Sequence, residues 1–159
     1  VTIDGNVAST ILGTAAADTL TGDAGADTIT GRGGADTITG GSRSDKFVFA
    51  SGDTGITEAT ADTITDFSTG TDKIDIDAPG TYVEADGTAT ANFAAFITAA
   101  NASLTTASDD IYSQYNFAGG GNTLVVIDEN KSGTVTTGDT LIILSGLSTA
   151  GGLDGSDFI

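Results

Sequence analysis

Four aspartates recur at intervals of nine residues near the start of the chain, and this spacing points to metal chemistry. Each aspartate holds the sixth place of a nonapeptide that opens with glycine and carries a large apolar residue in its eighth place. The four blocks span residues 13–48, and their aspartates are Asp18, Asp27, Asp36 and Asp45. Carboxylates suit hard divalent cations such as calcium, and the backbone carbonyls of glycine-rich turns can complete the coordination. The block at 4–12 fits the same frame with Ser9 in the place of the aspartate.

The elements that position these aspartates follow from the composition of each block. Six residues rich in glycine and aspartate favour a turn, and the three residues of the form Thr-apolar-Thr favour a short strand. Their alternation predicts a parallel coil with two strands per 18-residue turn, so that side chains 18 residues apart stack. We expect Ile11, Ile29 and Phe47 to stack on one sheet. Leu20 and Ile38 should stack on the other.

The same stacking brings the carboxylates together in pairs. It places Asp18 with Asp36 on one edge of the coil, and Asp27 with Asp45 on the other. Two close carboxylates repel each other by on the order of a few kcal/mol at a surface-like dielectric, and a divalent cation removes that repulsion. The pattern therefore favours a calcium site over the alternative, a series of glycine- and aspartate-rich turns without metal.

The nonapeptides resemble the calcium-binding RTX repeat family, in which such repeats form a parallel β-roll. The resemblance implies that each ion lies between two turns, which contribute carbonyls and aspartates. Carried over by position, it implies a first set of ligands made of Thr14, Ala16, Asp18, Gly31, Gly33 and Asp36. The second set is Asp23, Gly25, Asp27, Gly40, Ser42 and Asp45. The third is Gly5, Val7 and Ser9 opposite Gly22, Ala24 and Asp27, and it should be weaker because it lacks one carboxylate.

The stretch after the repeats also resembles a known segment. Residues 45–76 resemble the segment by which RTX proteins such as the serralysin proteases leave the roll, where aspartates help to close its end. By that resemblance Asp62 and Asp72 are candidate calcium ligands. The alternative interpretation is that both are ordinary surface carboxylates in turns.

A second candidate metal site lies in a loop late in the chain. Oxygen-bearing side chains recur there with the spacing of an EF-hand loop, with aspartate in place of the closing glutamate. The candidate ligands are Asp128, Asn130, Ser132, Thr134 and Asp139. The loop is predicted to join two strands rather than two helices, and a polar hairpin loop without metal is the alternative.

The predicted fold class is mostly β: a parallel β-roll, or two-sided β-helix, that continues into a strand-rich C-terminal part with one helix. We predict two units, a roll at 1–50 and a capping region at 51–159. The helix is expected near 91–104, because apolar residues recur there at helical spacing. That apolar face is interpreted as packed core, with a groove for a partner as the alternative.

Composition excludes several classes of function. The 22 acidic and 5 basic residues give a net charge of −17, so nucleic acid and anionic membranes are unsuitable partners. The chain has no cysteine and no histidine, which leaves no basis for zinc or triad chemistry. No apolar run reaches the length of a transmembrane helix. We therefore expect no enzyme in this chain; a catalytic domain such as a zinc protease would lie upstream.

The resemblance implies the C-terminal module of a larger exported bacterial protein, similar to the C-terminal domains of serralysin-like proteases and to RTX S-layer proteins. Its cofactor would be calcium, and it would fold on binding calcium outside the cell. The last residues, 155–159, resemble the end of type I secretion substrates, which makes the type I secretion machinery a partner. The expected location is secreted, extracellular or on the cell surface. The alternatives are a structural domain of a calcium-dependent S-layer or adhesin that self-assembles on a surface, and an ice-binding face of outward threonines.

Overall fold

The structure is a computed structural model and describes residues 5–76, 80–86, 92–104 and 110–159. Seven short strands come first: β1 Thr10–Leu12, β2 Thr19–Thr21, β3 Thr28–Thr30, β4 Thr37–Thr39, β5 Lys46–Val48, β6 Asp62–Ile64 and β7 Lys73–Asp75. The later elements are β8 Tyr82–Asp86, α1 Phe93–Ser103, β9 Asp110–Tyr115, β10 Thr123–Asp128 and β11 Thr140–Leu144. In the described part, no helix is long and apolar enough to cross a bilayer.

The first seven strands form a parallel β-roll with two facing sheets. One sheet has the order β1-β3-β5-β7, and β2, β4 and β6 begin the other. Ile11 pairs with Ile29 and Ile29 with Phe47, which confirms the predicted stacking at 18 residues. Leu20 pairs with Ile38 on the opposite sheet. The central residue of each three-residue repeat strand is buried, because alternate side chains of a strand point to opposite faces.

Both sheets run past residue 50. Phe47 pairs with Ile74 in the first sheet, and Ile38 pairs with Ile64 in the second. The division into two units at residue 50 stays a prediction. In the structure, both sheets continue across that position. The connection between β5 and β6 is long compared with the six-residue turns of the repeats, and this length is accommodated at one edge of the roll.

The second sheet widens into the C-terminal half. β6 pairs in parallel with β11, and the order continues through β10, β9 and β8. All six residues of β10 are buried, because its two faces pack against different layers. Val125 and Ile127 join the core of the roll, whereas Leu124 and Val126 pack in a second cluster with Phe96 of α1.

The helix prediction is confirmed within narrower bounds. Helix α1 begins after Asn92, whose side chain accepts a 3.0 Å hydrogen bond from the amide of Ala95. Phe96 and Ala100 are buried in the second cluster, and the Phe96 ring lies 5.7 Å from that of Tyr112. The apolar face is therefore packed core. Residue 91, the first of the predicted helix, lies outside the described residues.

Candidate metal centre

The repeat aspartates form two columns, one along each edge of the roll. The amide of Asp18 donates a 2.8 Å hydrogen bond to Oδ1 of Asp36, 18 residues later. The amide of Asp27 makes the same 2.8 Å bond to Oδ1 of Asp45. Asp27, Asp36 and Asp45 are each only 1% exposed. The stacking expected from the nine-residue period is thus present, and each bond holds a carboxylate against the backbone of the turn stacked on it.

The columns do not stop where the repeats end. The amide of Asp36 donates to Oδ1 of Asp62 at 2.8 Å, and that of Asp45 donates to Oδ1 of Asp72 at 2.9 Å. Both are buried, with 0% and 3% exposure, so their interpretation as surface carboxylates is wrong. At the other end the amide of Ser9 donates to Oδ1 of Asp27 at 2.8 Å. One column is therefore Asp18, Asp36 and Asp62; the other is Ser9, Asp27, Asp45 and Asp72.

The second carboxylate oxygen of these residues follows two patterns. In Asp18, Asp27 and Asp72, Oδ2 accepts the amide of the residue four positions earlier, at 2.7, 3.0 and 2.8 Å. In Asp36, Asp45 and Asp62, Oδ2 is buried without a hydrogen-bond partner, and the same holds for Oδ2 of Asp23. A buried charged oxygen without a partner is costly, and a cation among the oxygens would remove that cost. The donor set fits calcium, which prefers oxygen ligands.

Burial and mutual repulsion perturb these carboxyl groups. Loss of solvation by burial raises the pKa of Asp45 to about 6 and that of Asp62 to about 7, and neighbouring carboxylates add to both shifts. The pKa of Asp36 is raised for the same reasons. Asp18 is half-buried, and hydrogen bonds from the backbone and side chain of Thr14 lower its pKa.

Basic side chains do not compensate the columns within the described part of the chain. The ion pairs of Lys46 with Asp75 and of Lys73 with Asp157 involve no column aspartate. Arg32 donates to the carbonyl of Gly13 at 3.3 Å rather than to a carboxylate. The negative charge of the columns is therefore left for a bound cation.

The turns that carry the other predicted ligands lie directly on one another. A Cβ at Gly13 would collide with the carbonyl oxygen of Gly31, and one at Gly22 with that of Gly40. A Cβ at Gly25 would likewise collide with the carbonyl of Val7. The structure thus brings the two turns of each predicted set together. That their carbonyls bind calcium is still a prediction for Thr14, Ala16, Gly31, Gly33, Asp23, Gly25, Gly40, Ser42, Gly5, Val7, Gly22 and Ala24.

The late loop has a different character from the roll. Asp128 and Asp139 are fully buried at its two ends, so the predicted ligands do gather in one hairpin loop between β10 and β11. Their oxygens, however, are already satisfied within the loop. Asp128 accepts the amides of Ser132 and Gly133 at 3.0 and 2.7 Å, and Asp139 accepts the Asn130 amide group at 2.7 Å. These contacts fit the polar hairpin alternative, and calcium binding here remains a prediction.

Two aspartates that were not among the predicted metal ligands contribute to the end of the roll. Asp66 accepts the amides of Gly40 and Gly41 at 2.9 and 2.8 Å, which fixes the last repeat turn from below. Asp157 accepts the amide of Gly70 at 2.8 Å, and the next residue, Phe158, bridges to Ile74 of β7. The sequence signal for Asp66 was its place in the segment at 45–76 that resembles the exit from RTX rolls.

The column carboxylates stack one above another along each edge and do not converge on a common point. Nowhere in the described ranges do three or more acidic side chains converge in a cluster that could hold a metal ion. Calcium bound by two carboxylates would need backbone oxygens to complete its coordination shell, and glycine-rich turns can provide them.

A parallel roll with stacked aspartates and glycine-rich turns defines a calcium-binding β-roll. Residues 12–46 match the family model of the RTX calcium-binding nonapeptide repeat, in four copies. The chain therefore carries an RTX β-roll region, and RTX nonapeptide repeats bind calcium ions.

One solved structure supports the fold beyond the repeats. The chain is similar to the solution structure of the AlgE6R3 subunit from the Azotobacter vinelandii mannuronan C5-epimerase, with 21% identity and a TM-score of 0.53. That match covers 99% of this chain and 81% of the other. The AlgE6R2 subunit of the same epimerase gives 23% identity and a TM-score of 0.44, over 94% of this chain and 91% of the other. No curated protein matches the chain.

Proposed function

We propose that this chain is the calcium-dependent folding module of a larger exported protein, and that calcium binding between stacked turns drives the roll to fold outside the cell. The observation that carries the proposal is the set of buried Oδ2 atoms without partners in Asp36, Asp45 and Asp62. Without a cation, folding would bury these charges against one another. With calcium, the same oxygens become ligands.

The calcium range supports the extracellular setting. Weak acidic calcium sites of extracellular modules bind in the range of about 0.1 to 1 mM, far above cytosolic calcium. A chain with a net charge of −17 repels itself when its sites are empty. In the cytoplasm the chain would stay unfolded, which suits passage through a type I exporter, and it would fold on reaching millimolar calcium. RTX repeats are typical of exported proteins, which agrees with this proposal.

The role that we propose for the chain is binding and folding, not catalysis. The proposed ligands are the column aspartates and the turn carbonyls of the three sets, with Asp62 and Asp72 extending the columns. The last residues would carry the type I secretion signal. The activity of the attached protein would reside upstream.

A calcium titration followed by far-ultraviolet circular dichroism tests the proposal. We expect a largely disordered spectrum in chelator and a β-rich spectrum in millimolar calcium, with magnesium at the same concentration giving little change. A spectrum that is the same in chelator and in calcium would refute the proposed role of calcium in folding.

A further inference from the structure

The last residues of the chain form part of the first sheet. Phe158 bridges to Ile74 of β7 in parallel orientation. The amide of Ile159 donates to the carbonyl of Ile74 at 3.0 Å, and the amide of Ile76 donates to the carbonyl of Ile159 at 2.9 Å. The strand order of this sheet ends at β7, so these residues pair with its outer edge. They therefore act as one more short strand of the roll.

Side chains on both partners fix this segment, residues 154–159, which we call the tail. Oδ1 of Asp157 accepts the amide of Gly70 at 2.8 Å. The Lys73 ammonium donates to the carbonyl of Ser156 at 2.8 Å and lies 3.7 Å from Oδ1 of Asp157. Both the backbone and a side chain of the tail are therefore held by the segment that leads into β7.

The tail also buries two of its side chains. Asp157 is only 1% exposed and Phe158 only 4%. Phe158 belongs to the core of the roll together with Ile74, and its ring lies 5.5 Å from the ring of Tyr82. A partner that recognised these two side chains would have to remove them from the core first.

The surface that receives the tail exists only in the folded roll. The amide of Lys73 donates to the carbonyl of Asp45 at 2.8 Å, and the amide of Asp45 donates to Oδ1 of Asp72 at 2.9 Å. β7 is thus positioned by the end of an aspartate column. If the roll folds only with calcium, as the proposed function states, the tail is held in calcium and free without it.

We propose that the folded roll hides the export signal, so that a type I exporter can bind residues 155–159 only in the calcium-free chain. The inference rests on the proposed function, which assigns the signal to these residues. The exporter and β7 would compete for the same backbone and side chains. The apparent affinity of the exporter then falls with the fraction of chains in which the tail is free. Folding outside the cell would therefore prevent the chain from binding the exporter again.

Hydrogen exchange measured by mass spectrometry tests whether the tail is held, and Lys73→Met is compared with Lys46→Met. Both changes remove a lysine from neighbouring strands of the first sheet, but Lys46 pairs with Asp75, outside the tail. We expect the tail of the unchanged protein to be protected in calcium and to exchange freely in chelator. In calcium, Lys73→Met should speed exchange in the tail by about tenfold, the usual effect of losing a hydrogen bond from a charged group. Lys46→Met should match the unchanged protein.

Binding to a purified type I exporter tests whether the signal is hidden. The full chain should bind at least about tenfold more weakly in calcium than in chelator, because few tails are free. A peptide of residues 150–159 is the control for any effect of calcium on the exporter, and it should bind equally in both conditions. Lys73→Met should recover part of the binding in calcium, and Lys46→Met should not.

Equal binding of the full chain in calcium and in chelator would overturn the inference, as would rapid exchange of the tail in calcium. Calcium-induced folding would stand in both cases. A peptide that binds the exporter in neither condition would instead refute the export signal of the proposed function, and the inference with it. If Lys73→Met does not fold in calcium, the comparison of the unchanged chain with the peptide still decides between these outcomes.

Discussion

The amide of Asp45 donates a 2.9 Å hydrogen bond to Oδ1 of Asp72, across 27 residues rather than the 18 that separate stacked repeats. The geometry matches that of Asp27 and Asp45 one level above, at 2.8 Å. Asp72, which does not belong to a nonapeptide repeat, therefore continues the column formed by Asp27 and Asp45. The roll extends beyond its repeats, and its last carboxylates come from segments that a search for repeats passes over.

Neutralising a column aspartate should raise the calcium concentration that the roll needs to fold, whereas neutralising an aspartate of the late loop should not. In Asp36→Asn the amide oxygen can still accept the Asp18 amide, so the change removes mainly the charge. We expect calcium-induced folding to shift to about tenfold or more higher calcium, as for loss of a ligand-shell group. Asp139→Asn, a matched change of a buried aspartate, should leave the midpoint of the roll in place. Equal shifts in the two variants would contradict the ranking of the sites.

The extension of the columns predicts that Asp72 matters as much as a repeat aspartate. Asp72 lies outside residues 12–46, yet it accepts amides from two turns, those of Asp45 and Ser68. We expect Asp72→Asn to raise the calcium midpoint of folding, measured by circular dichroism. Asp75→Asn is the control, because Asp75 sits near the surface and pairs with Lys46 at 2.8 Å. An unaffected midpoint in Asp72→Asn would show that the column ends functionally at Asp45.

Acid should stabilise the calcium-free fold. The pKa values of Asp45 and Asp62 in the folded chain, about 6 and about 7, lie above the ordinary value of 3.8. Between these values the folded state binds more protons than the unfolded state, so stability falls as pH rises from about 4 to about 7. Far-ultraviolet circular dichroism in chelator should therefore show more β structure at pH 4.5 than at pH 7.5, where the calcium-free chain is expected to be largely disordered.

General charge repulsion would also weaken with acid, so a second variant separates the two causes. The double change Asp45→Asn and Asp62→Asn removes the buried titrating groups. We expect it to flatten the pH dependence in chelator. A dependence that is undiminished in the double variant would assign the effect to net charge alone.

The close stacking of turns predicts which glycines tolerate a methyl group. At Gly22 a Cβ would meet the carbonyl oxygen of Gly40 and also lie 2.6 Å from Oδ2 of Asp27. Gly22→Ala should destabilise the calcium-bound roll by about 1–3 kcal/mol, the usual cost of overpacking. At Gly33 the nearest atom to an added Cβ is 3.6 Å away, so Gly33→Ala should be nearly neutral. Similar thermal midpoints for both variants in calcium would contradict the tight stacking at Gly22.

Export can be tested with a passenger fused ahead of residues 1–159 in a host that has a type I exporter. Deletion of residues 155–159 should block release if they carry the export signal. Replacing Asp18, Asp27, Asp36 and Asp45 with asparagine should instead release a chain that stays unfolded in calcium. Because Asp157 and Phe158 also contact the end of the roll, folding of the deleted chain in calcium is measured separately. Normal export of the deleted chain would remove the proposed signal.

The sequence by itself determined the roll, because a strict nine-residue period leaves few other solutions. Glycine-rich turns and Thr-apolar-Thr strands dictate local structure, and repetition dictates that Asp18 meets Asp36. The helix was likewise predictable near 91–104 from apolar spacing, and the structure added its bounds, Phe93–Ser103, and the capping Asn92. In both cases the pattern that predicts the structure lies in a short, continuous stretch of sequence.

Resemblance named Asp62 and Asp72 as candidates for closing the roll, but only the tertiary structure decided how the roll ends. The intervals from Asp36 to Asp62 and from Asp45 to Asp72, 26 and 27 residues, follow no period, so their place in the columns depends on how the intervening loops fold. The pairing of β6 with β11 joins residues 80 positions apart, such as Asp62 and Ile142, and no local pattern encodes it. The hydrogen bonds of the Thr54 hydroxyl to Leu141 likewise join the loop between β5 and β6 to a strand 87 residues later, and no local pattern encodes them.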